Sequence, residues 1–186
     1  MPRIPPVAPE AMSPETAALL ASRPPYNVYR VLANAPAALP GFVQMAGALL
    51  GQGALDAGLR ELAILRVGAL SGSRYEVHQH LRIARRVGLD EARIARALEV
   101  DGHDDPGTDD GRVLAFTTAV VREVKAPDAL FDAVSARLGH GATLELLLAI
   151  GFYMMVSRVL ENAEVPLETH DMERGVDGYY APPDAR

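Results

Sequence analysis

The sequence predicts an all-α protein of one domain, and two observations carry that prediction. Helix signals, namely capping residues, prolines at helix starts and apolar residues three or four apart, follow one another along the 186 residues. No stretch shows the sustained apolar–polar alternation, bounded by turns, that is typical of β-strands. The expected organisation is a Pro-rich arm over residues 1–12, a single helical domain over 13–168 and a polar tail over 169–186.

The first half of the domain contains several helical segments separated by proline or glycine. Ser13 is an N-cap candidate that precedes proline at the first helical position, and Pro24-Pro25 ends this helix. YNVYRVLAN and FVQMAGALLGQ are the next candidates. LDAGLRELAILRVGAL has apolar residues on several sides, which predicts a largely buried helix that stops at Ser71-Gly72.

The second half continues the helical pattern. A helix is predicted over residues 74–87, with Gly88 as its C-terminal cap, and Asp90 begins the next helix, EARIARALEV. The stretch DGHDDPGTDDG is acidic and rich in turn formers, and it predicts a solvated loop rather than a cation site. Helices follow over 110–125, 127–138 and 142–160. The last is apolar on more than one face, which in a domain of this size predicts oligomerisation.

Composition excludes several classes of function. The chain has 18 Lys and Arg against 24 Asp and Glu, a net charge of −6, so a nucleic-acid partner is not expected. It has no cysteine, which excludes disulfides, thiolate nucleophiles and cysteine metal sites. No signal peptide is evident, and the apolar run over residues 144–156 is too short and interrupted to span a bilayer. A cytoplasmic protein without a membrane partner is the expectation.

The stretch SRYEVHQHLRIARRVG, residues 73–88, carries the strongest chemical signal. Glu76 and His80 are one helical turn apart and share a face, so the carboxylate could orient the imidazole as a general acid or base. A polar contact at the rim of the core would explain the same pair. A metal site formed by Glu61, Glu76 and His80 is a further alternative. It is the weaker one, because the repeated Glu-x-x-His of bundle di-metal sites is absent.

RELAILRVGALSGSRYEVHQHLRIARRVGLDEARI resembles the signature helix pair of the carboxymuconolactone decarboxylase family, whose other branch is the alkylhydroperoxidase D-like proteins. The matching positions are Glu61, Gly72, His80, Ala84 and Gly88. LLLAIGFYMMVSRVLENAEVPLE is similar to the last helix of the family, and the resemblance covers roughly residues 25–168. It implies a helical bundle of this type that assembles as a homo-oligomer, a trimer or hexamer.

One departure from the peroxidase branch changes the implied chemistry. That branch carries a Cys-x-x-Cys whose second cysteine lies four residues before the histidine, and Ser73 and Glu76 occupy these positions here. Serine cannot supply the thiolate that peroxidase chemistry needs. The resemblance to the decarboxylase branch implies instead a lyase of aromatic catabolism. Such an enzyme would use acid/base chemistry, without cofactor or metal, to decarboxylate or otherwise transform a small lactone or unsaturated carboxylic acid.

The predicted catalytic residues are His80 as acid or base, Glu76 as its partner, and Glu61 as a second carboxylate. Glu61 reaches the same cavity only if the two helices fold back antiparallel, as the resemblance implies. Arg74, at a helix start that favours anions, is a candidate for binding the substrate carboxylate.

His78 and Ser73 are further candidates for substrate binding. Two alternatives stay open. One is a non-catalytic small-ligand-binding or assembly protein with the same fold, and the other is the metal-dependent enzyme.

Overall fold

A computed structural model describes residues 1–168, and over this range the protein is entirely helical, as predicted. A short 3-10 helix, Pro9–Ala11, comes first. The α-helices of the described range are α1 (Pro14–Ala21), α2 (Asn27–Leu32), α3 (Leu39–Gly51), α4 (Ala57–Leu70), α5 (Arg74–Arg86), α6 (Glu91–Leu98), α7 (Asp109–Glu123) and α8 (Asp128–Ala163). The predicted tail, residues 169–186, lies outside the described residues. The described chain divides into two compact units, residues 1–52 with 160–168, and residues 53–159. The single domain over 13–168 therefore stays a prediction.

The Pro-rich N-terminal arm is tied down within the first unit. The backbone amides of Arg3 and Ile4 both donate to the carbonyl of Ala163, at 3.0 and 3.2 Å. Further along the arm, the amide of Val7 donates to the carbonyl of Arg30 at 2.9 Å. Since proline cannot donate a backbone hydrogen bond, the arm relies on its few non-proline amides for these contacts. The arm is thus docked rather than loose.

Helices α1 and α2 begin within one residue of the predicted starts, whereas α3 begins at Leu39, three residues before the predicted segment FVQMAGALLGQ. The side chain of Ser13 accepts a hydrogen bond from a backbone amide in the first turn of α1, which is the predicted N-cap. Tyr29 of α2 packs edge-on against Phe42 of α3, with ring centroids 6.5 Å apart. The backbone amide of Asn27 donates to the carboxylate of Glu168 at 2.7 Å. Contacts between distant parts of the chain therefore complete this unit.

Helix α4 is the centre of the second unit. Every residue from Gly58 to Gly68 is buried, and the helix packs against α5, α6 and α7. Its N-cap is Asp56, whose carboxylate accepts from the amide of Leu59 at 3.0 Å. The helix is buried on all sides, as its apolar sequence predicts, although it also contains Glu61. A carboxylate at this depth requires hydrogen-bond partners.

The long helix α8 is interrupted at Gly139, whose backbone has φ 78° and ψ 163°. The two predicted helices, 127–138 and 142–160, correspond to its two parts. By length and mean hydropathy, 1.6 over its most apolar window, α8 is comparable to a membrane-spanning helix. Half of that window is buried inside the protein, which is also typical of a core helix. The exposed side of the second part presents Leu144, Leu148 and Met155.

Helix α7 ends at a strained residue. Val124 has φ 68°, a region that β-branched residues rarely adopt, and its side chain is 87 % exposed. We expect Val124→Gly to raise the free energy of unfolding by about 0.5–1 kcal/mol, because glycine tolerates this backbone and little packing is lost. Urea unfolding measures the change. Val121→Gly, the same replacement inside α7, is the matched control and should destabilise. A loss of stability in Val124→Gly would contradict the prediction.

Candidate active site

Helices α4 and α5 form a tight antiparallel hairpin that builds the site. The turn between them passes through Gly72, whose φ of 65° suits a residue without a side chain, and the amide of Ser73 donates to the carbonyl of Gly68 at 2.9 Å. Glu61, in the second turn of α4, meets His80, at the middle of α5. At the other end of the hairpin, Gly68 lies against Val77, and a Cβ added to this glycine would be 3.0 Å from the valine side chain. This register brings Glu61 to His80.

Glu61 and His80 form a buried hydrogen-bonded pair. His80 Nδ1 lies 2.7 Å from Glu61 Oε2, and the two residues are 6 % and 0 % exposed. The other carboxylate oxygen of Glu61 lies 3.4 Å from Arg60 Nε, so a buried guanidinium also faces this carboxylate. When Glu61 is ionised it can only accept, so His80 then donates from Nδ1, and Nε2 is directed away from Glu61. This arrangement fixes the orientation of an imidazole that can transfer protons at Nε2.

Glu76 is buried on the same side of α5, but the hydrogen bond at its Oε2 comes from another helix. Ser157 of α8 donates from Oγ to Glu76 Oε2 at 2.6 Å, and Glu76 is 2 % exposed. The sequence analysis expected Glu76 to orient His80. The structure gives the contact at His80 Nδ1 to Glu61 instead. The reason is the antiparallel hairpin, because its register places the α4 carboxylate directly opposite the ring.

Helix α8 contributes Tyr153 and Ser157 to the site, and Ser157 is not among the residues that the sequence predicted. The ring of Tyr153 packs against the ring of His80 in a T-shaped contact, with centroids 4.7 Å apart. Tyr153 and Ser157 are four residues apart, as are His80 and Glu76, so one face of α8 meets one face of α5. This equal spacing is the signal that could have identified Ser157.

The three predicted substrate-binding residues, Ser73, Arg74 and His78, differ in burial. Ser73 is buried at the N-cap position of α5, and its Oγ has no hydrogen-bond partner among the described residues. Arg74 and His78 are exposed. The structure therefore brings together Glu61, Glu76 and His80 around α5 but leaves Arg74 and His78 on its solvent side. The roles of these three residues in substrate binding stay predictions.

The described residues give no geometric support to the metal alternative. No group of three or more His, Asp or Glu side chains within residues 1–168 is arranged so that it could hold a metal ion. Glu61 is engaged by His80 and Arg60, and Glu76 by Ser157. Protein groups therefore already face both carboxylate oxygens of Glu61 and the Oε2 of Glu76, which are the atoms that would have to bind a metal ion.

The acidic loop after α6 is anchored by arginines. Arg66 of α4, which is fully buried, binds both carboxylate oxygens of Asp104 at 2.9 and 3.1 Å. It also donates to Thr118 Oγ1 and to the carbonyls of Arg96 and Ala97. A buried guanidinium needs this many acceptors, because an unpaired charge at this depth would be costly. The loop is therefore attached to the core helix rather than solvated throughout.

Other acids of the loop and of the α7 start have arginine partners as well. The Arg137 guanidinium donates to Asp109 and holds the pKa of that carboxyl below its usual value, mainly through the hydrogen bond. Asp101 pairs with Arg122, and Asp110 with Arg93. Arginine side chains therefore neutralise several of the carboxylates in this acidic segment.

The comparisons with known proteins agree with this architecture. Residues 36–104 match the model of the carboxymuconolactone decarboxylase family, and this range contains Glu61, Glu76 and His80. The match confirms the resemblance seen in the sequence over α4, α5 and α6. No curated protein sequence matches the chain significantly.

Three solved structures have the same fold at low sequence identity. A peroxidase-related protein with an alkylhydroperoxidase AhpD core, from Ralstonia eutropha, superimposes with a TM-score of 0.76 and 16 % identity over 97 % of this chain and 98 % of its own. A protein of unknown function from Agrobacterium tumefaciens, whose description relates it to the antioxidant defence protein AhpD, gives 0.63 and 20 %, over 73 % and 93 %. A variant of the debrominase Bmp8 in complex with 2,3,4-tribromopyrrole gives 0.69 and 14 %, over 89 % and 91 %. The chain therefore has the all-α, alkylhydroperoxidase D-like fold.

Proposed function

We propose that this chain, whose residues 36–104 match the carboxymuconolactone decarboxylase family model, is an acid/base enzyme that needs no cofactor. Its substrate is a small lactone or unsaturated carboxylic acid, and its reaction is decarboxylation or a related proton transfer. The observation that carries the proposal is the buried pair of Glu61 and His80, joined at 2.7 Å. A fixed imidazole beside a second buried carboxylate, Glu76, supplies the groups that proton transfer to or from carbon requires.

Thiol chemistry does not fit these residues. Two of the structural neighbours are described with reference to peroxidase or AhpD proteins. The 186 residues here contain no cysteine, and Ser73 and Glu76 occupy the positions where the peroxidase branch has its cysteine pair. A serine hydroxyl and a carboxylate can bind and move protons, but neither cycles through a sulfenic acid or a disulfide.

The test is turnover with defined substrates. We expect purified protein to release CO₂ from 4-carboxymuconolactone or to isomerise a small unsaturated lactone, and EDTA should leave the rate unchanged. Loss of activity in EDTA that returns with a divalent metal would favour the metal-dependent alternative. Absence of turnover across a panel of small lactones and unsaturated acids would favour the non-catalytic, ligand-binding alternative.

The exposed apolar side of α8 supports the proposal that the chain forms a homo-oligomer. Leu144, Leu148 and Met155 follow one another at intervals of four and seven residues, about one and two helical turns, along the exposed side of one helix. Isolated exposed apolar residues are common, whereas a stripe of them on one helix is typical of a subunit contact. We expect Leu148→Glu to lower the molecular mass measured by light scattering. Phe131→Glu, on the first part of α8, is the control for adding a charge at an exposed apolar position. An unchanged mass in Leu148→Glu would contradict the assignment of this face.

A further inference from the structure

The hydroxyl of Ser157 is used differently from the two buried threonine hydroxyls of the second unit. Thr143 and Thr117 each donate to the backbone carbonyl four residues earlier in their own helix. This local bond is the usual one for serine and threonine inside helices. Ser157, which is 1 % exposed, instead donates across to Glu76 Oε2 on α5 at 2.6 Å. The distance lies in the range of a charge-assisted bond from a hydroxyl to an ionised carboxylate.

The carboxylate of Glu76 is confined between two helices. On one side Ser157 holds Oε2. On the other side Oε1 faces Gly68 of α4, where an added Cβ would lie 3.5 Å from this oxygen. The carboxylate therefore lies in van der Waals range of the α4 backbone at Gly68. The hydrogen bond from Ser157 on α8 is thus the contact that fixes Oε2, while Oε1 faces α4.

We propose that Ser157 is a positioning residue that holds Glu76 as an ionised carboxylate, so that Glu76 enters the reaction as a proton acceptor. A hydrogen bond donated to the charged form of a carboxyl group stabilises that form. Glu61, in contrast, has Arg60 and His80 as its partners and serves to orient the ring. Two carboxylates in different surroundings can take different roles in one site.

The inference rests on the proposed function and makes one part of it specific. With a β,γ-unsaturated lactone, a C–H proton passes to Glu76, and the electron pair of that bond is delocalised into the carbonyl group as a dienolate. Return of a proton to the γ-carbon gives the conjugated lactone. The overall reaction is a proton shift within one molecule, so it consumes no oxidant, reductant or second substrate. The group that carries out the first step must be ionised beforehand, which is the state that Ser157 favours.

The first experiment needs no substrate. Infrared spectra of protein labelled with ¹³C at the glutamate carboxyl carbon, taken as the difference from Glu76→Gln, isolate the band of Glu76. We expect an ionised-carboxylate band at neutral pH in the wild type, a shifted or protonated band in Ser157→Ala, and a wild-type band in Ser157→Thr. Thr143→Val, which removes a buried hydroxyl from the same helix, is the matched control and should leave the band unchanged. An unchanged band in folded Ser157→Ala, or a protonated one in the wild type, would overturn the inference.

The second experiment follows the reaction with α-angelica lactone, a neutral β,γ-unsaturated lactone, in D₂O. We expect Ser157→Ala to lower kcat for deuterium incorporation at least about tenfold with little change in KM, Ser157→Thr to restore it, and Thr143→Val to match the wild type. Equal kcat in Ser157→Ala and wild type would refute the positioning role. If the wild type exchanges no deuterium with this or any other lactone, the proposed function fails, while the infrared result still decides the role of Ser157.

Discussion

Replacement of His80 by glutamine is expected to reduce turnover of a lactone substrate by about 10²–10⁴-fold, the usual contribution of a positioned general acid or base. Glutamine can still accept or donate a hydrogen bond toward Glu61, but it cannot exchange a proton near neutral pH. The measurement is kcat and KM for whichever lactone the wild type transforms. We expect the loss to appear mainly in kcat, because the ring moves a proton during the reaction rather than holding the substrate.

The chain offers a matched control for this experiment on the same helix. His78 is exposed and lies two residues from His80, on a different face of α5. His78→Gln should therefore retain wild-type turnover. An equal loss in both variants, or near-normal turnover in folded His80→Gln, would contradict the assignment. Glu61→Gln should also lose activity, and its unfolding must be measured in parallel, because Arg60 would lose the charge that it faces.

The largest expected effect on stability is at Arg66. Replacement by methionine removes the buried partner of Asp104, which keeps only the half-exposed Arg96 at 3.3 Å, and is expected to lower the free energy of unfolding by about 3 kcal/mol. The acceptors at Thr118 and at the carbonyls of Arg96 and Ala97 lose their donor as well. Urea unfolding monitored by circular dichroism measures this loss.

Two further variants separate the ion pair from the size of the side chain. Arg66→Met combined with Asp104→Leu removes both charges and should recover part of the lost stability, because no unpaired charge remains. Arg85→Met breaks the exposed pair with Glu91 and should change stability little. If Arg66→Met unfolds at the same urea concentration as the wild type, Arg66 does not anchor the loop.

Local signals were sufficient to predict most of the fold. Ser13 caps α1, Asp90 accepts from an amide at the start of α6, and Gly88 has the positive φ of a C-terminal cap. These signals act within one helical turn, so they can be recognised without knowledge of the tertiary structure. The break in α8 was also predicted, since Gly139 separates the two helical patterns. The docking of the Pro-rich arm was not decided, because it depends on contacts with residues far away in the sequence.

Helical periodicity and the family resemblance predicted part of the candidate site. They identified Glu61, Glu76 and His80, but the spacing of four residues favoured Glu76 as the partner of His80. The register between α4 and α5 decides that point, and a single helix pattern does not contain it. Ser157 was missed for the same reason, because 81 residues separate it from Glu76. The contact between Arg66 and Asp104 was missed because a loop sequence has no periodicity from which the direction of a side chain could be read.

The docking of the N-terminal arm on Ala163 affects how the chain folds while it is synthesised on the ribosome. The amides of Arg3 and Ile4 are made about 160 residues before the carbonyl of Ala163 that they require. During synthesis the arm and helices α1 to α3 therefore lack their final partners until residues 160–168 have been made. The unit formed by residues 53–159 is complete before that point and can fold first. The entropic cost of closing this loop grows only slowly with its length, so the contact forms late chiefly because its second partner is made late. In that interval the N-terminal helices are the part of the nascent protein most exposed to chaperones and proteases.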